Sequence, residues 1–148
     1  MSKGKTATKV LTKADALLKH LDDASLTADD IEQSSYDADL YEVGKEEYLV
    51  LTDEEADKRA AEQIKDSAWA FNKSFLDGHS EAIAAFDGKT WEAVTARCES
   101  ANDAVLKLID DVDHFVDDAI AADGRGHFLS GYDGDENEQD GFYIYRTN

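Results

Sequence analysis

Proline is absent from the 148 residues, so nothing in the chain forces a long helix to kink, and loops must be shaped by glycine and aspartate instead. Cysteine occurs once, as Cys98, which excludes an intrachain disulfide and a cysteine-rich zinc site; a lone thiol suits a reducing cytoplasm. No apolar run approaches the ~20 residues needed to cross a bilayer. The first nine residues are basic and polar without an apolar stretch, so no secretory signal is expected there. Cations are also scarce. Fifteen Lys and Arg face thirty-four Asp and Glu, a net charge of -19. Such a chain lacks the cations that release counterions from nucleic acid, and those that hold to an anionic membrane. Direct binding to either is not expected.

What is present is 42 % hydrophobic residues, enough for a core, together with a charge that opposes compaction. Solubility, high-salt adaptation or a cationic partner could each reward that charge. Eleven lysines argue against strong salt adaptation.

Residues 1–11 read as a flexible basic arm and 12–148 as a single acidic domain. Thr12 is a candidate N-cap for a helix over 14–24 with Leu17, Leu18 and Leu21 inward, and Thr27 for a short helix through Gln33. Residues 34–44 read as irregular or a short strand. Glu47 to Leu51 (EYLVL) is a strand, and Thr52 with Glu55 makes the capping box of a helix running to about Phe71. A bend or a continuing turn over 72–78 precedes a short helix at 80–86. Thr90 then caps a long helix over 91–122, ended by Gly124. An acidic loop, Asp133 to Asp140, leads to Phe142–Arg146 (FYIYR), a strand expected to pair with 47–51. The fold class is therefore α+β: mainly helical, with one long helix in the C-terminal half and a small antiparallel sheet.

The long helix carries the functional reading. Trp91, Val94, Cys98, Ala101, Val105, Leu108, Val112, Phe115 and Ala119 recur at alternating steps of three and four, an apolar seam in which Cys98 is a core thiol. The opposite side is acidic. Asp110, Asp113 and Asp117 would climb such a helix in steps of roughly 4.5 and 6 Å. Phosphates of one DNA strand are spaced ~3.4 Å along the axis, so a carboxylate column at this pitch can imitate a phosphate row. A merely soluble helix intersperses both signs of charge; here the intervening lysines are missing. The expected partner-binding residues are Glu99, Asp103, Asp110, Asp113, Asp117 and Asp118 with Asp133, Asp135, Glu136 and Glu138 of the loop. Their expected partner is the basic nucleic-acid-binding surface of another protein. The alternative is a small structural or regulatory interaction module whose charge serves solubility. Monomer and dimer both stay open, with intramolecular packing of the seam preferred because Asp111 and Asp118 would repel in a parallel pair.

No catalytic residue, cofactor or metal is expected. Asp133, Asp135 and Asn137 match the opening of an EF-hand loop, but Glu138 replaces its glycine and Ile144 its bidentate acid. His20, His79, His114 and His127 show no zinc-ligand spacing, and His114 among its aspartates reads as a held cation rather than a ligand. A His127–Asp133 pair is the one conceivable catalytic arrangement. Trp69, Phe71, Phe75, Phe86, Trp91 and Phe115 read as core, while the six tyrosines read as less settled and suited to an interface.

The run Asp123-Gly-Arg-Gly-His-Phe-Leu-Ser-Gly-Tyr132-Asp-Gly, followed by an acidic stretch and Phe142-Tyr-Ile-Tyr-Arg146, resembles the ending of a family of small acidic phage and prophage proteins of unassigned function. Tyr48-Leu-Val-Leu-Thr-Asp-Glu-Glu-Ala-Asp57 is similar to the same family. The likeness covers about a quarter of the chain and departs at Ser130-Gly131, where the family carries alanine-serine. It implies a viral or mobile-element origin and the host cytoplasm, and no activity. Joined to the charge argument, it points to phage proteins that mimic DNA against host defence enzymes, of anti-restriction or anti-CRISPR type.

Overall fold

The computed structural model describes residues 12–148; the expected basic arm lies outside them. Two compact units emerge: residues up to Asp57 together with Leu129–Asn148, and Lys58–Phe128. The described residues are α+β, with eight α-helices and one five-stranded antiparallel sheet.

The first unit holds the sheet. Helix α1 (Lys13–Leu21) starts at a reciprocal capping box. The Asp15 amide donates to the Thr12 hydroxyl at 3.0 Å, and the Thr12 amide donates to the Asp15 carboxylate at 3.1 Å. Leu17 is fully buried, whereas Leu18 and Leu21 are only partly so. The helix expected after Thr27 is a single 3-10 turn, Ala28–Asp30. It stops because the next residues enter strand β1 (Ile31–Gln33), where Ile31 lies opposite Val43.

The irregular stretch contains β2 (Leu40–Val43), and β3 (Glu46–Leu51) follows. The acidic loop is not all loop: β4 (Asn137–Gln139) turns at Asp140-Gly141 into β5 (Phe142–Arg146). The sheet order is β1-β2-β3-β5-β4. Strands β3 and β5 pair antiparallel as expected, Val50 opposite Ile144 and Leu49 opposite Tyr145. Leu17 packs with Tyr41, Tyr48, Val50 and Ile144 on one face, and Leu40, Leu49, Leu51 and Tyr145 pack with Ala56 on the other. Both edge strands are three residues long and polar or charged at most positions, which discourages further pairing.

Helix α2 (Asp53–Asp66) has the expected capping box: the Thr52 amide donates to Glu55 at 2.9 Å and the Glu55 amide to Thr52 at 3.2 Å. It ends earlier than expected, giving way to a 3-10 turn at Ala68–Ala70. The second unit continues with α3 (Lys73–Asp77), where a bend or a continuing turn was expected, and α4 (Glu81–Ala85), capped by Ser80. The expected long helix is four pieces. These are α5 (Gly88–Thr95), a 3-10 turn at Cys98–Ala101, α6 (Asn102–Leu108) and α7 (Val112–Asp123), followed by α8 (Arg125–Leu129). The N-cap of α5 is Asp87 rather than Thr90; its carboxylate accepts from the Thr90 amide at 2.7 Å.

The first break centres on Cys98, whose φ of +54° leaves the helical region, and the second on a side chain that caps a new helix. At the first, buried Asn102 donates to the Lys65 carbonyl at 2.7 Å and accepts from the Trp69 amide at 3.1 Å, filling the ragged end of α2. At the second, Asp111 accepts from the His114 amide at 3.1 Å and restarts the helix, while Ile109 becomes extended and buried. Cys98 is not a core thiol: it is exposed, with φ +54°. The rest of the seam lies in the core or packs against it. Trp91, Ala101, Val105, Phe115 and Ala119 are buried in one cluster with Ile64, Leu76 and Ile83, and Phe71, Phe75 and Phe86 pack against it. Gly124 ends α7 with φ +82° but ψ 155°, so its turn is not the left-handed one expected.

Candidate functional site

Charge is concentrated in the sheet unit, which carries twenty of the thirty-four acids and seven of the fifteen Lys and Arg. Strand register arranges some of them. Glu32 lies opposite Glu42, and Glu42 opposite Glu47, so three carboxylates cross β1, β2 and β3 in one row on one face. Neighbouring strands are ~4.8 Å apart, which sets the pitch of the row. Like charges placed directly opposite destabilise a sheet. Among the described residues no ion pair reaches Glu32 or Glu42. Glu47 is oriented by the chain end: Thr147 donates to its carboxylate at 3.2 Å and to its carbonyl from the amide at 2.9 Å. Asp29, Asp30, Glu32, Glu42 and Gly44 line one surface hollow. Periodicity in the sequence could not reveal this row, because it depends on pairing between strands.

The ten expected partner-binding residues do not form one column. In the second unit Glu99 lies in a 3-10 turn, Asp103 on α6, Asp110 in a link, and Asp113, Asp117 and Asp118 on α7. Only the last three keep helical spacing. Asp110 accepts from the Glu81 amide at 3.2 Å, and Asp118 faces two histidines. Glu99, Asp103, Asp113 and Asp117 are exposed and have no ion-pair partner among the described residues. In the first unit Asp133 and Glu138 of the 133–140 segment are engaged with that segment's own backbone, and Asp140 lies 3.2 Å from the Lys19 ammonium. Asp133 accepts from the Asp135 amide at 3.0 Å and the Ser130 hydroxyl at 2.9 Å, and these bonds hold its carboxyl below the ordinary range. Glu138 accepts from the Gly141 amide at 2.8 Å, Tyr145 donates its hydroxyl to Glu136, and Asp135 is exposed.

Two further groups could do chemistry. His127 stacks edge-on against Phe128 at 4.9 Å and, with Gln63, Asn72 and Asp123, lines a hollow in the second unit. The bonds made by Asp133 are those just described. His79 Nε2 lies 3.1 Å from Asp118 Oδ2, and His114 Nε2 lies 3.5 Å from the same oxygen. The ligand atoms of these three side chains all fall within 4.8 Å of one another. The His79 side chain is 6 % exposed; its ring lies 5.2 Å from that of Phe75 and 5.7 Å from that of Phe115. His114 to Asp118 is an i,i+4 step legible in the sequence, but His79 stands thirty-five residues earlier. Only tertiary packing brings it in.

Among the described residues no helix is long and apolar enough to cross a membrane. No protein-family model, curated protein or solved structure matches the chain.

Proposed function

We propose that the chain is a non-catalytic acidic protein that acts as a DNA mimic, occupying the basic nucleic-acid-binding site of a host defence protein of restriction or CRISPR type. The observation that carries the reading is the row Glu32–Glu42–Glu47. A sheet that sets three like charges side by side, with no ion-pair partner among the described residues, gives up stability for a patterned anionic surface. The contact surface moves with this observation from the helix column, which the broken helix does not provide, to the sheet unit, with exposed Asp113 and Asp117 as a separate anionic patch. Attraction to a Lys/Arg-rich site is long-ranged and salt-sensitive. The phage origin and host cytoplasm in this reading rest on the resemblance of the segments 48–57 and 123–146.

The test is displacement of labelled duplex DNA from a panel of restriction and CRISPR effector proteins at about 50 mM and about 200 mM salt. The expected result is displacement of DNA from at least one target at the lower salt. It weakens roughly tenfold or more at the higher salt, and as much in the variant E32Q/E42Q/E47Q. No displacement from any target, or equal potency of the triple variant, overturns the reading. A second reading is favoured by the short polar edge strands: the same glutamates guard β1 against pairing with another chain. In that case the triple variant aggregates and no target is inhibited.

A further inference from the structure

We propose that His79, His114 and Asp118 form a binding site for a divalent transition-metal ion, Zn2+ in the first instance. The site goes beyond the proposed mimicry and does not depend on it. Zn2+ holds nitrogen and oxygen ligands at about 2.0–2.2 Å in a tetrahedron, which places neighbouring ligand atoms about 3.3 Å apart. The two His–Asp separations, 3.1 and 3.5 Å, bracket that value. All three ligand atoms lie within 4.8 Å of one another, and the exposed His114 ring has room to close the remaining gap.

The donor set selects the ion. Two imidazoles and one carboxylate suit Zn2+, Fe2+ or Ni2+, whereas Ca2+ and Mg2+ take oxygen. Such a set leaves a fourth position to water, on the side where His114 is 63 % and Asp118 46 % exposed.

His79 is the independent indication that a ligand belongs here. A 94 % buried imidazole sits among Phe75 and Phe115, and among the described residues Asp118 is its one polar side-chain partner other than the neighbouring His114 ring. Its backbone is fixed on both sides: its amide donates to the Leu76 carbonyl at 2.9 Å, and its carbonyl accepts from the Asp110 amide at 2.9 Å. The ring is therefore presented from a rigid frame. The bound ion would staple the turn between α3 and α4 to α7.

The experiment is calorimetric titration and thermal unfolding of the full, tag-free chain with Zn2+, and separately with Mg2+ and Ca2+, backed by the visible spectrum of the Co2+ form. Wild type should bind one Zn2+ saturably and gain about 5–10 °C in Tm at hundredfold excess over Kd, with no comparable response to Mg2+ or Ca2+. The Co2+ spectrum should show the intense bands of a low-coordination site. H114A and D118N should each lower affinity at least tenfold. H114A, at an exposed position, should retain the metal-free Tm, which separates lost binding from lost folding. H20A/H127A should bind as wild type. Absence of saturable binding, or binding that survives both H114A and D118N, overturns the proposal. Loss of binding in H20A/H127A also overturns it, because the ion would then be held elsewhere.

Discussion

Lys13 shows how a single cation is used in a chain that has few. Its ammonium lies 2.6 Å from Asp39 and 2.7 Å from Glu55, joining α1 to the approach to β2 and to the start of α2 within the sheet unit. Burial by itself lowers the Lys13 pKa, but the hydrogen bonds to Asp39 and Glu55 outweigh it and raise the value above the ordinary 10.5. The Lys13 bond, then the Thr52 amide, lowers the Glu55 pKa below the ordinary 4.5. A lysine with a raised folded-state pKa contributes fully below 10.5 and loses that contribution as pH rises through its folded value. A glutamate with a lowered one contributes fully above 4.5 and loses it as pH falls through its folded value. Lys13→Met should therefore cost about 1–2 kcal/mol across the neutral range, discounted for the partial exposure of Glu55. The difference from wild type in chemical denaturation should shrink below about pH 4.5 and above about pH 10.5. A pH-independent difference would show that Lys13 acts through packing alone. Asn102 is the other residue on which a unit depends. Asn102→Ala leaves the Lys65 carbonyl and the Trp69 amide without their partner and should cost about 2–3 kcal/mol in urea unfolding.

At the scale of the element, the break before α7 makes a prediction that a continuous helix reverses. Asp111 is an N-cap, so Asp111→Ala should destabilise the protein by about 1 kcal/mol. In an unbroken helix the same change would be neutral or stabilising, because alanine is the better helix former. Glu42 faces a carboxylate on each side. Glu42→Gln should raise stability by roughly 0.5 kcal/mol, read as an increase in Tm, while weakening any contact with a basic partner. A destabilised E42Q would mean that an unseen cation already balances the row.

For the whole molecule the governing quantity is the net charge of -19. Self-repulsion of that size opposes the folded state, and salt screens it with a Debye length of about 10 Å at 0.1 M. Thermal stability should rise as sodium chloride increases from about 0.01 to about 1 M, while displacement of DNA from a target falls over the same range. The opposite signs separate repulsion within the chain from attraction to a partner. A Tm that is flat or falling with salt would show that ion pairs such as Lys13–Glu55 outweigh the repulsion.

The local patterns legible in the sequence are those decided by neighbours along the chain. Thr12 and Thr52 cap as their spacing demands, β3 and β5 form strands, and the seam residues from Trp91 to Ala119, Cys98 apart, reach a core or pack against it even though their helix is broken. Composition likewise determined the charge and the scarcity of compensating cations. The β3–β5 pairing apart, what needed the third dimension was every feature whose partner lies far off in the chain. Asn102 ties the start of α6 to the end of α2, and no period along residues 91–122 encodes that contact. Glu32, Glu42 and Glu47 become a row only through strand register, and His79 meets His114 and Asp118 only through packing of the second core. Hydrophobic periodicity reports which side of a segment is buried, since burial is a property of one residue. Hydrogen bonds and charge neighbours belong to pairs, and folding alone chooses the pairs.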